Sequence, residues 1–215
     1  MPLLYARKDR NRFLLGLWRT TETESWFRER LQVQPGEVAE EAALHPSRRL
    51  DWLSTRHLLH LLSGASERVP CLKDTFGKPF LEGQDTRISI SHSHGWAAII
   101  LSPQAAGVDV QRWDQRLERL AARFASPEEL AGASGPDRLA ILHVLWGAKE
   151  ALYKAHGRRR LDFRAHMPCE RFDYSARGGR FQARILEPGK EEWAFDVYYR
   201  PGKDSMLVWA LEKLP

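Results

Sequence analysis

Residues 87–111 read RISISHSHGWAAIILSPQAAGVDVQ. Arg87 to His92 alternates apolar and polar residues, the period-two pattern of a half-buried strand. Trp96 to Ser102 is almost continuously apolar and reads as a more deeply buried strand. Gly95 turns between them, so the pair is a hairpin. Gly107 to Gln111 is a third short strand, and the stretch from Ser102 to Ala106 is a break. The pattern has the same shape on both sides of that break.

Upstream, Phe13 to Arg19 reads as a first strand. A helix follows over Glu22 to Val33, after a threonine-rich cap. A second covers Gly36 to Leu44, and a third runs from an N-cap at Ser47 to about Ser63, ended by Gly64. Leu50, Leu53, His57, Leu58, Leu61 and Leu62 form its apolar side. Pro70 to Gly83 is loop-rich. Downstream, Trp113 to Ala131 is helical but broken at Ser126-Pro127, where Ser caps a new helix and Pro takes its first position. The longest helix runs from Asp137 to about His156 and stops at Gly157. Strands follow at Arg171 to Tyr174, Arg180 to Leu186, Trp193 to Tyr199 and Met206 to Glu212. The order is therefore strand, helices, strands, twice over. This predicts an α+β chain of two similar halves, 1–103 and 104–215.

Composition narrows the function. Of 215 residues, 43% are hydrophobic and 10% aromatic, enough to form a core and exclude disorder. No apolar run approaches about 18 residues, so no membrane span or membrane partner is expected. Phe13 to Leu17 is too short for a signal-peptide core. Cys71 and Cys169 lack metal-ligand spacing and read as buried thiols of a cytoplasmic protein, with one disulfide between them as the lesser alternative. The net charge is +5, with 25 Arg against 8 Lys. That excess is spread over both halves rather than gathered into a patch, apart from Arg158-Arg159-Arg160. Such a chain suits phosphate or an acidic partner better than nucleic acid.

Three stretches can carry chemistry. Ser91-His92-Ser93-His94 ends a strand before a glycine. His92 and His94 would share a face if the strand continued, but no third metal ligand is near in sequence. A polyanion site of hydroxyls, amides and imidazole is the better functional reading; a polar strand end is the plain one. In Gly107-Val108-Asp109-Val110-Gln111, Asp109 and Gln111 oppose the valines. An edge strand's exposed face would explain them, and so would a carboxylate placed to hold Mg²⁺. In Trp146-Gly147-Ala148-Lys149-Glu150-Ala151-Leu152-Tyr153-Lys154, Trp146, Glu150 and Lys154 form one helical stripe. A surface Glu–Lys pair needs no function; the same pair can also serve half of a metal–phosphate site.

Taken in order, these blocks, with Gly77-Lys78-Pro79 and the Arg-Phe-x-Ser-x-x-Glu stretch Arg123 to Glu129, resemble the 4′-phosphopantetheinyl transferases. The likeness is to the larger, pseudodimeric type that activates peptide and polyketide synthetases. The resemblance implies two similar halves packed as an intramolecular pseudodimer. It also implies transfer of phosphopantetheine from coenzyme A to a serine hydroxyl of a carrier protein, with Mg²⁺, releasing 3′,5′-ADP. By the same resemblance Asp109 and Glu150 hold Mg²⁺, Glu150 takes the serine proton and Lys154 stabilises the pyrophosphate. His92 contacts phosphate, Ser91 positions the nucleotide, and Lys78 and Pro79 lie near it. Arg48, Arg49 and Arg56 would meet the coenzyme A phosphates. Many members have a second acid where this chain has Gln111. Either water fills that metal position or Gln111 ligates weakly through its oxygen. The partner would be an acidic helical-bundle carrier, met by the Asp114 to Ala131 helices and Arg158 to Arg160, and the chain would work as a monomer. The alternative is a non-enzymatic phosphate or nucleic-acid binding module.

Overall fold

The computed structural model describes residues 3–9, 12–158 and 161–213, and the chain divides into two compact units between Gln104 and Ala105. Met1, Arg159 and Arg160 lie outside the described residues.

The first unit is one antiparallel sheet with helices. Its strands are β1 (Leu3–Asp9), β2 (Phe13–Arg19), β3 (Cys71–Lys73), β4 (Pro79–Leu81), β5 (Arg87–Ser93) and β6 (Trp96–Ser102). They lie in the order β1-β2-β6-β5-β4-β3. β6 is buried at every residue, as its unbroken apolar pattern requires. The β5–β6 connection is the two-residue turn His94-Gly95, with φ of 48° and 78°, the left-handed pair that matches strand twist. His94 is therefore in the turn, off the strand that carries His92.

Helix α1 (Glu24–Arg30) starts at Thr23, whose hydroxyl accepts from the Trp26 amide. A short 3₁₀ turn, Pro35–Glu37, and α2 (Val38–Ala42) replace the single helix expected over Gly36 to Leu44. Helix α3 (Pro46–Ser63) packs on β2 and β6 and ends at Gly64 with φ of 62°. Its N-cap is His45 rather than Ser47: the His45 ring accepts from the Ser47 amide. Trp52, Leu53, Leu58 and Leu59 are buried, whereas Leu61 is exposed. Gly16 on β2 lets α3 approach closely, since a β-carbon there would sit 2.8 Å from a Leu62 methyl. Three strands depart from the sequence reading. β1 pairs with β2 despite its charged, largely exposed sequence, and the loop-rich Pro70 to Gly83 contains β3 and β4.

The second unit has a four-stranded antiparallel sheet. Its strands are β7 (Ala106–Arg112), β8 (Gly179–Ile185), β9 (Trp193–Pro201) and β10 (Ser205–Glu212), in the order β7-β10-β9-β8. Helices are α4 (Arg116–Phe124), α5 (Pro127–Gly132), α6 (Arg138–His156) and α7 (Phe163–His166). α5 opens with a full capping box between Ser126 and Glu129. α6 crosses β7 and β10. Arg171 to Tyr174, expected as a strand, is irregular; only Cys169 bridges to Ala183 nearby. Phe172 stacks on Phe181 at 4.3 Å and Tyr174 on Tyr199 at 5.8 Å, so the segment's aromatics pack without strand pairing.

Candidate active site

Asp109 lies on β7 opposite Val208 of β10, between the buried Val108 and Val110. It is itself only 6% exposed. α6 comes within reach because β7 has glycine at 107: a β-carbon there would run into the Ala151 carbonyl. The Lys154 ammonium donates to Asp109 Oδ1 at 2.8 Å and to the Val108 carbonyl at 3.0 Å. Glu150 stands one turn before Lys154. Burial raises its carboxyl pKa, Lys154 offsets part of the rise and the Asp109 charge adds to it. Asp109, Glu150 and Lys154 are thus gathered where one helix crosses one edge strand. Trp146, a turn earlier, packs on Phe124 and Phe163, and Tyr153 also meets Phe163.

Gln111 belongs to the same cluster through a residue the sequence reading missed. Its Nε2 donates to Asp109 Oδ2 at 3.3 Å and to the His143 carbonyl at 3.0 Å, and its Oε1 faces His143 Nδ1 at 2.8 Å. His143 is fully buried, with its pKa lowered by burial to about 4. The available signal was a histidine within the apolar run of the long helix, three residues before Trp146.

Lys149 has another task. It is fully buried and bonds Glu129 Oε1 and the Phe163 and Met167 carbonyls, each at 2.9 Å. Glu129 also accepts from the amides of Ser126 and Cys169. The Ser126–Glu129 and Lys149 positions therefore lock α5, α6 and the chain around Met167 together. A cavity of about 260 Å³ on that side is lined by Glu129, Ile141, Leu145, Cys169 and Phe172 among others, and by none of Asp109, Glu150 or Lys154.

The first unit holds its own constellation. His92 Nδ1 lies 3.3 Å from Asp51 Oδ2, and its Nε2 lies 3.4 Å from an Arg48 nitrogen. Ser91 beside it is buried. Arg49 pairs loosely with Glu24 at 3.6 Å. Lys78 precedes β4, which starts at Pro79, in a turn fixed by Asp74 Oδ1; burial lowers the Lys78 pKa, Arg87 adds to this and Asp74 opposes it. Arg56 corrects the sequence reading. It is 3% exposed and bonds Glu37, Glu40 and the Cys71 carbonyl, so its guanidinium is committed to the interior of the fold. Arg68 joins Glu37 from the other side.

Among the described residues, no three His, Cys, Asp or Glu side chains converge as a metal cluster. No described helix is long and apolar enough to cross a membrane. Both cysteines are buried free thiols.

The second unit defines the class of protein: an α+β domain with two carboxylates and a lysine at a helix–strand crossing. Residues 105–206, just under half of the chain, match the family model of the 4′-phosphopantetheinyl transferase superfamily. A curated relative, the 4′-phosphopantetheinyl transferase gsp of Aneurinibacillus migulanus, is 28% identical over 109 residues, 49% of this chain. The match covers 46% of that relative, so the chain aligns with about half its length.

Proposed function

We propose that the protein transfers 4′-phosphopantetheine from coenzyme A to a serine hydroxyl of a carrier protein in the cytoplasm. The observation that carries this is the 2.8 Å Asp109–Lys154 pair with Glu150 beside it, inside the segment matched to the superfamily. The serine oxygen forms a bond to the phosphorus bearing the pantetheine. The phosphorus–oxygen bond to 3′,5′-ADP breaks, and the serine proton passes to Glu150, directly or through water. Lys154, fixed by Asp109, supplies positive charge for the pyrophosphate oxygens.

The residues fit a divalent cation. Two acidic side chains share the site with one lysine, and their oxygens are hard donors suited to Mg²⁺. Asp109 and Glu150 would hold it, and when bound it would neutralise charge on the pyrophosphate. In the first unit, Arg48 and His92 would meet coenzyme A phosphates, Arg49 and Lys78 would add charge nearby, and Ser91 and Pro79 would shape the nucleotide site. The pseudodimer belongs to the same proposal. Its support is that each unit is an antiparallel sheet crossed by one long helix, α3 and α6.

Mass spectrometry of an apo carrier incubated with coenzyme A tests the proposal. The phosphopantetheine mass should arrive with Mg²⁺ and fail to arrive without it. Asp109→Ala and Glu150→Ala should abolish transfer while keeping the thermal transition. No mass gain under any metal condition, with coenzyme A still bound, would favour the non-enzymatic phosphate-binding alternative.

A further inference from the structure

We infer that His143 is a positioning residue for Asp109, acting through Gln111, and that Gln111 serves the site as a hydrogen-bond donor rather than as a cation ligand. This rests on the reading that Asp109 and Glu150 hold a divalent cation.

The bonding order fixes every proton. The Asp114 amide donates to His143 Nε2 at 3.0 Å, so that nitrogen carries a lone pair and the ring proton sits on Nδ1. Nδ1 then donates to Gln111 Oε1 at 2.8 Å. The Gln111 amide nitrogen has two acceptors before it, Asp109 Oδ2 at 3.3 Å and the His143 carbonyl at 3.0 Å. A reversed amide would set an oxygen against both acceptors and an NH₂ against the Nδ1 proton. The oxygen of Gln111 is thereby turned to His143, and its donor to Asp109.

Packing keeps the relay in place. Trp113 meets the His143 ring edge-on at 4.9 Å between centroids. Position 147 is glycine, and a β-carbon there would come 2.9 Å from Gln111 Nε2 and 2.5 Å from a Val208 methyl. The amide thus lies in space that only glycine leaves open. Asp109 is oriented from both sides, by Lys154 on Oδ1 and by Gln111 on Oδ2. Groups that orient a ligand in this way typically change metal affinity about 10–100-fold when removed.

Two measurements test this. Nitrogen-15 NMR of the unsubstituted protein, without metal, should show His143 protonated on Nδ1; an Nε2-protonated ring overturns the inference. Mn²⁺ titration by electron paramagnetic resonance, with coenzyme A present, should show about tenfold weaker binding for His143→Phe and for Gln111→Ala. The double variant should be no weaker than either single one, because both act along one path. His143→Asn, whose amide can replace the Nδ1 donor, should restore binding. Additive losses, or unchanged binding in His143→Phe, would sink the relay. Failure of the unsubstituted protein to bind Mn²⁺ would sink the cation reading beneath it.

Discussion

His57 lies among Trp18, Trp26 and Phe27, with ring centroids 5.1–5.6 Å away. Burial lowers its pKa, and its Nδ1 has no hydrogen-bond partner among the described residues. A neutral imidazole is therefore what the folded state accommodates. The unfolded chain takes up this proton near pH 6.5 and the folded protein only at lower pH. The contribution is fully present above about pH 6.5 and is lost as pH falls from there toward the folded value. His57→Phe should flatten the stability profile below about pH 6.5 in urea titrations, at little cost at pH 8. A profile as steep as before would assign the acid sensitivity to other groups. The thiols follow the same logic with the opposite charge type. Burial drives Cys169 up to about 12 and also raises Cys71, so neither should be alkylated by a maleimide until the chain unfolds.

At the scale of elements, the site depends on how α6 meets its neighbours. Gly107→Ala would push the helix backbone off β7 at Ala151, one turn before Lys154 leaves the helix toward Asp109. It should lower transfer at least as strongly as removing Lys154 itself, and lower the thermal midpoint too; an active, stable variant would show that α6 need not approach so closely. Lys149 acts at the same scale but away from the chemistry. Lys149→Met leaves Glu129 buried without its cation, which costs about 3–5 kcal/mol, read as a fall in the urea midpoint. The long motif helix was legible because its apolar period and its Gly157 stop agree. Periodicity put Glu150 and Lys154 on one helical stripe and set Asp109 opposite the valines of its strand, but their grouping rested on the family resemblance. What was missed has physical causes. β1 carries Arg7, Lys8 and Asp9, so no burial signal marks it; pairing with β2 holds it. His143 escapes a sequence reading and Arg56 is misassigned by it because the partners that commit them, Gln111 and Glu37, lie 32 and 19 residues away in the chain.

At the scale of the molecule, charge is the property that reaches outward. Of the arginines, Arg28, Arg30, Arg49, Arg56, Arg68, Arg116, Arg138 and Arg184 each pair with a carboxylate. The net +5 of the sequence is a modest excess, and these pairs offset part of its arginine charge locally. Electrostatic steering toward an acidic carrier acts on encounter, is screened over about 8 Å at physiological salt, and leaves the bound chemistry largely alone. Raising ionic strength from 0.05 to about 0.5 M should thus raise the KM for the carrier several-fold while kcat holds. On the proposed function the KM for coenzyme A should also rise, since its phosphates are the other anions to be captured, but Arg48 and His92 would meet them at contact distance and would be screened less. A carrier KM indifferent to salt would remove charge from recognition and shift attention to the exposed apolar Leu120 on α4.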